Sequence, residues 1–245
     1  MKLGLSSAAA PDAPLGELLE AAARRGFGAL ELREGDAHGI TPDADVGAIG
    51  EAVRRATAAG LTITGYRTGG AGHDLALARL SYTLGAPILL EGPEDLAARI
   101  ARARQMRNAG AAVAIVLRGE SVVQDGALAA ALSSPLAWDA DPRVGPPGRF
   151  AEALLRRTAG ALRHICLPGG GPETTLQDGM GVGDLMRRLA LAGYEGTLVL
   201  APSTTRYRLA WRSWLGHRGG GGCGSKVAET PVRQLTTLAM EGGER

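Results

Sequence analysis

The stretch AVAIVL, residues 112–117, constrains the fold more than any other part of the chain. Six consecutive apolar residues, three of them β-branched, leave a strand no polar face to offer water. Such a run is what a parallel strand covered on both sides requires. Seven further short β-rich runs recur along the chain, giving candidate strands at Lys2–Ser6, Ala29–Leu32, Thr62–Tyr66, Pro87–Leu90, Val113–Leu117, Leu136–Trp138, Arg163–Leu167 and Thr197–Leu200. Between them lie amphipathic segments such as PLGELLEAAARRG, VGAIGEAVRRATAAG and PEDLAARIARARQMRNAG. Each carries apolar residues at helical spacing and stops at a glycine.

Eight strands alternating with helices over some 215 residues predict an α/β fold, a (β/α)8 TIM barrel spanning residues 1–216. A doubly wound open sheet is the structural competitor. After Trp214 the pattern changes: GHRGGGGCGSK reads as a linker, so 217–245 is set apart as a Gly-rich linker and C-terminal tail. Its GGGGCGSK lacks the four-residue spacing of a phosphate loop and follows no strand directly.

Composition narrows the function classes. The formal charge of +2 is small and the arginines are scattered, so no nucleic-acid partner is expected. No run approaches the roughly 20 apolar residues of a membrane span. The start, MKLGLSSAAAPD, turns polar too soon for a secretory leader. Two cysteines, Cys166 and Cys223, make no disulfide framework, and a cytoplasmic location follows as the expectation. No cofactor motif stands out, and a homo-oligomer is left open.

In a barrel the chemistry sits where strands end. Reading off those positions yields Ser6 and Ser7, Arg33 and Glu34, Tyr66 and Arg67, Glu91, Arg118 and Glu120, Asp139 and Asp141, Cys166, then Ala201 and Ser203. A ring so rich in charges of both signs suits a small polar ligand, an anion among the candidates. Asp139 and Glu91 are the candidate proton-transfer groups, on the expectation that a desolvated mouth raises a carboxyl pKa toward neutrality. Arg118 is the candidate anion or oxyanion receptor, assisted by Arg33 and Arg67. Glu34, Tyr66, Glu120, Asp141, Cys166 and Ser203 complete the expected substrate-binding set. Internal pairing of the arginines with Glu34, Glu91, Glu120 and Asp139 is the bland alternative. His164 is expected to face away from the neighbours of Cys166.

The chain resembles the xylose-isomerase-like TIM barrels, the sugar and sugar-phosphate isomerase/epimerase superfamily. The resemblance rests on KLGLSS, LLEAAARRGFGALELRE, AVRRATAAGLTITGY and, above all, GMGVGDLMRRLALAGYEGTLVLAPS at 179–203. It implies a divalent metal held by a carboxylate after the fifth strand, an acid after the sixth, a histidine on the seventh and a glutamate after the eighth. Here those positions read Arg118, Asp139 (with Asp141 where a histidine often sits), Cys166 and Ala201. Arginine and alanine in place of two carboxylates shift the formal charge by about three units toward positive, and a guanidinium cannot ligate. The resemblance so amended implies a degenerate metal site, no metal and a positively biased mouth. Three readings stay open: a metal-independent isomerase or epimerase acting by proton transfer on a small polyhydroxylated or oxo-acid substrate, a non-catalytic barrel binding a small anion or a partner, and a repurposed cyclase or lyase on a non-sugar metabolite.

Overall fold

Eight parallel strands close on themselves in chain order, each hydrogen-bonded to the next and the eighth to the first. The computed structural model describes residues 1–70, 73–92, 95–118, 125, 135–140, 153–156, 158, 160–168 and 181–201. The strands are β1 (Lys2–Ser6), β2 (Ala29–Arg33), β3 (Thr62–Thr68), β4 (Ile88–Leu90), β5 (Val113–Leu117), β6 (Leu136–Asp139), β7 (Leu162–Pro168) and β8 (Thr197–Ala201). The barrel, not the open sheet, is therefore the architecture. All eight expected strands are present, two with the expected bounds and the others with one or both ends displaced by one or two residues. Pro87 has no N–H to donate and lies outside β4, but its carbonyl still accepts from the Tyr66 amide at 3.0 Å.

Helices α1 (Leu15–Arg24), α2 (Val46–Ala58), α3 (Asp74–Leu84), α4 (Leu96–Asn108) and α5 (Val182–Leu191) wrap the described strands. Two start at aspartate caps whose carboxylates accept from backbone amides, Asp45 for α2 and Asp95 for α4. Among the described residues, no helix is long and apolar enough to cross a membrane.

Strand parity decides what each side chain meets. Leu30, Leu32, Tyr66, Ile88, Leu90, Ile115, Leu117, Trp138, Ile165 and Leu198 point outward and join the helices in one large apolar cluster. The opposite parity fills the barrel interior, where Leu89, Ala114, Val116 and Ala137 form a second, small cluster. Gly4 and Gly65 belong to that interior set, and a β-carbon on Gly65 would crowd Leu89. Following the interior parity toward the strand ends leads from these small apolar residues to the charged ones. Arg67 follows Gly65, Glu91 follows Leu89, Arg118 follows Val116 and Asp139 follows Ala137, each two residues on.

Candidate active site

Glu31, in the middle of β2, is a fully buried acid. Its carboxylate accepts from Ser6 Oγ at 3.0 Å, from Arg67 Nε and Nη2 at 3.1 Å each, and lies 2.7 Å from His164 Nε2. The carboxylate can only accept, so His164 carries its proton on Nε2. His164 Nδ1 is buried with no hydrogen-bond partner among the described residues. The two-pronged Glu31–Arg67 contact fixes the plane of the guanidinium and leaves Nη1 aimed at the mouth.

From there the network spreads upward. Arg67 Nη1 reaches both oxygens of Asp139, at 2.8 and 3.0 Å, and Glu91 Oε2 at 3.2 Å. Arg118 donates from Nε to Asp139 Oδ2 at 2.6 Å and from Nη2 to Glu91 Oε2. Arg33 Nη2 approaches Glu91 Oε1 at 3.4 Å. Arg67 is 3% exposed, whereas the side chains of Arg33 and Arg118 are 36% and 54% exposed, so the network has a buried floor and an open rim.

Three arginines thus meet three carboxylates, and the formal charges cancel. The expected positive bias of the mouth is corrected accordingly. Glu31, within a strand rather than after one, supplies the missing negative charge. Charge also tunes the acids against the sequence-based expectation. Burial pushes the Glu91 carboxyl up, but Arg67, Arg118 and Arg33 outweigh it and hold the pKa below the ordinary value. Glu31 is held far below the usual carboxylate range by Arg67 and His164, again against its burial. Burial would lower the pKa of Arg67, yet Glu31 and Asp139 carry it well above its ordinary value. Burial and the nearby Glu31 charge push the Cys166 thiol well up, so it stays protonated and is no ready nucleophile.

These shifts have a consequence for stability. Glu31 and Glu91 bind protons more weakly folded than unfolded, so their contribution is fully present above the unfolded carboxyl pKa, about 4.3. It is lost as pH falls through the folded values. Thermal unfolding followed from pH 7 to pH 3 should show the melting temperature nearly flat to about pH 5 and falling below it. Glu31→Gln should flatten that fall.

The candidate residues separate cleanly. Arg33, Arg67, Glu91, Arg118 and Asp139 converge, with Cys166 buried beside them. Tyr66 does not join them. It neighbours Arg67 in sequence and so leaves by the opposite face, where its hydroxyl donates to the Ile40 carbonyl at 3.3 Å. Glu34 also departs from the arginine net, its carboxylate accepting from the Thr68 hydroxyl. Glu120, Asp141, Ser203 and the 217–245 tail lie outside the described residues. His164 shares the inward face with Cys166, two residues on, and faces opposite to the neighbours of Cys166, Ile165 and Leu167, as expected. Glu31 and His164 are the members missed by looking only past the strand ends. A glutamate between two leucines in a strand buried on both faces was the available signal.

The donor set of the described residues does not fit the divalent ion that the resemblance implies. Among the described residues no group of three His, Cys, Asp or Glu is placed to hold a metal. Glu91 Oε2 and both oxygens of Asp139 are already taken by guanidiniums, and β8 ends in the apolar Ala201.

Barrel topology with a polar cluster at the strand ends defines a (β/α)8 barrel, and its fold is like that of solved xylose isomerase-like barrels. A xylose isomerase domain-containing protein from Salmonella typhimurium superposes with a TM-score of 0.64 at 14% identity, over 98% of this chain and 97% of that one. D-psicose 3-epimerase from Clostridium cellulolyticum gives 0.63 at 16% identity, with both chains fully covered. A xylose isomerase domain protein from Planctomyces limnophilus gives 0.63 at 18%, over 100% of this chain and 99% of that one. At such identities the likeness establishes the fold alone. No protein-family model matches the chain, and no curated protein does.

Proposed function

We propose that the mouth is the active site of an isomerase- or epimerase-like enzyme. It moves a proton next to a carbonyl on a small polyhydroxylated or oxo-acid substrate, without a divalent metal. One observation carries the reading: a carboxylate with an oxygen open to substrate stands beside a half-exposed guanidinium. Among the described residues Glu91 Oε1 has only the long 3.4 Å contact with Arg33, while both oxygens of Asp139 are engaged at 3.0 Å or less. Glu91 is accordingly the proton acceptor, and Asp139 holds Arg118 in position. The Arg118 guanidinium stabilises the oxyanion that forms when a carbon-bound proton leaves. The fold shared with a sugar 3-epimerase is consistent with this chemistry.

The test is exchange of carbon-bound hydrogen with solvent. Chelator-treated protein, incubated in D2O with a panel of ketoses and 2-oxo acids, should introduce deuterium next to the carbonyl of at least one compound, read by NMR. No exchange across the panel, or exchange that appears only when Mn2+ is added, defeats the reading. The lowered pKa of Glu91 favours a second one, a barrel that binds a small ligand without reacting. A compound that binds but exchanges no hydrogen would select it.

A further inference from the structure

The charged groups at the mouth are not matched one cation to one anion. Glu91 Oε2 accepts from Arg67 Nη1 at 3.2 Å and also from Arg118 Nη2. Asp139 Oδ2 accepts from Arg67 Nη1 at 3.0 Å and from Arg118 Nε at 2.6 Å. The two carboxylates stand at the ends of β4 and β6, on either side of β5, which Arg118 directly follows. Carboxylates brought together in this way repel each other unless positive charge lies between them. In this chain that charge is covalently attached.

We infer that Arg118 is a tethered substitute for a divalent ion: its guanidinium fills the coordination space of the Glu91–Asp139 pair, keeps dissolved dications out, and supplies the positive charge of the site. Three features support this. Arg118 uses a different nitrogen for each carboxylate, so it bridges them rather than meeting one end-on. Its side chain is 54% exposed, so the space it fills would be open to solvent ions if it were absent. Arg67 sits behind it at 3% exposure, locked by Glu31, and cannot swing aside to admit another cation. A hard dication needs several free oxygen ligands. Here Glu91 Oε2 and both oxygens of Asp139 are committed to guanidiniums, which leaves Glu91 Oε1 as the one lightly held oxygen of the pair. The purpose assigned to the charge rests on the proton-transfer reading, but exclusion of metal is a binding property and stands apart from it.

The experiment measures Mn2+ binding to the full chain by titration calorimetry and by loss of the free-ion EPR signal. Wild type, Arg118→Ala and Arg118→Glu are compared, each first shown to unfold cooperatively. Arg118→Glu changes the formal charge by two units and adds carboxylate oxygens where the guanidinium was. It should bind one Mn2+ per chain, about a hundredfold or more tighter than wild type. Wild type should show no saturable binding below about millimolar Mn2+. Arg118→Ala should fall between, with guanidinium ion competing against Mn2+ for the vacated space. Stoichiometric Mn2+ binding by wild type that is unaltered by either substitution overturns the inference. So does a folded Arg118→Glu that takes up no metal. Should Arg118→Glu not fold, Arg118→Ala decides the matter on the same readouts, competition by guanidinium included. No turnover is measured, so this result and the hydrogen-exchange result can fail independently.

Discussion

Arg67→Met is expected to cost about 3–5 kcal/mol of stability, the usual penalty for removing one partner of a buried ion pair. For a chain of this size that lowers the melting temperature by roughly 6–20 °C. The cause is what remains rather than what is lost. Glu31 would stay fully buried as an anion with, among the described residues, only Ser6 and His164 bonded to it, and Asp139 would lose its closest buried cation. The double variant Glu31→Gln/Arg67→Met isolates this cause, because it removes the stranded charge along with its partner. It should unfold at a higher temperature than Arg67→Met alone, a non-additivity that only a direct pairing produces. Equal melting temperatures for wild type and Arg67→Met would mean that the Glu31–Arg67 contact pins nothing.

That internal pair also marks where the sequence stopped being legible. The barrel was readable because each strand is a short apolar run and each helix has an apolar stripe, and both signals are local. AVAIVL could be little other than a covered strand. The residues just past the strands were readable for the same reason, and Arg33, Arg67, Glu91, Arg118 and Asp139 do meet. The partner choices were not readable, since they join strands far apart in the chain: Glu31 with His164, Arg67 with Asp139. Charge balance depended on those pairings. The expectation of a positive mouth came from setting Arg118 and Ala201 against the carboxylates that the resemblance implies. Within the cluster that forms, Arg33, Arg67 and Arg118 exceed Glu91 and Asp139 by one charge, and a single glutamate inside β2 cancels it. Parity recovers part of this. It separates Tyr66 from Arg67 and puts His164 with Cys166, because neighbours in a strand face opposite ways and alternate residues face the same way.

Glu91→Gln is expected to slow hydrogen exchange by about 10²- to 10⁴-fold, the range for loss of a positioned general base. Asp139→Asn should also slow it, through misplacement of Arg118. The pH dependence separates a base from a merely structural acid. In the free protein Glu91 is held low by three guanidiniums, so the acid limb of kcat/KM should lie below the ordinary glutamate value of about 4.3. When substrate binds and Arg118 turns toward its carbonyl oxygen, Glu91 loses a neighbouring positive charge. Loss of that charge favours the protonated form, and the pKa rises. The acid limb of kcat, which reports the complex, should therefore sit at higher pH than that of kcat/KM. Arg118→Ala removes the same charge in both states and should bring the two limbs together. Coincident limbs in wild type would mean that Arg118 never leaves Glu91, and a Glu91→Gln protein with unchanged exchange would mean that the proton goes elsewhere.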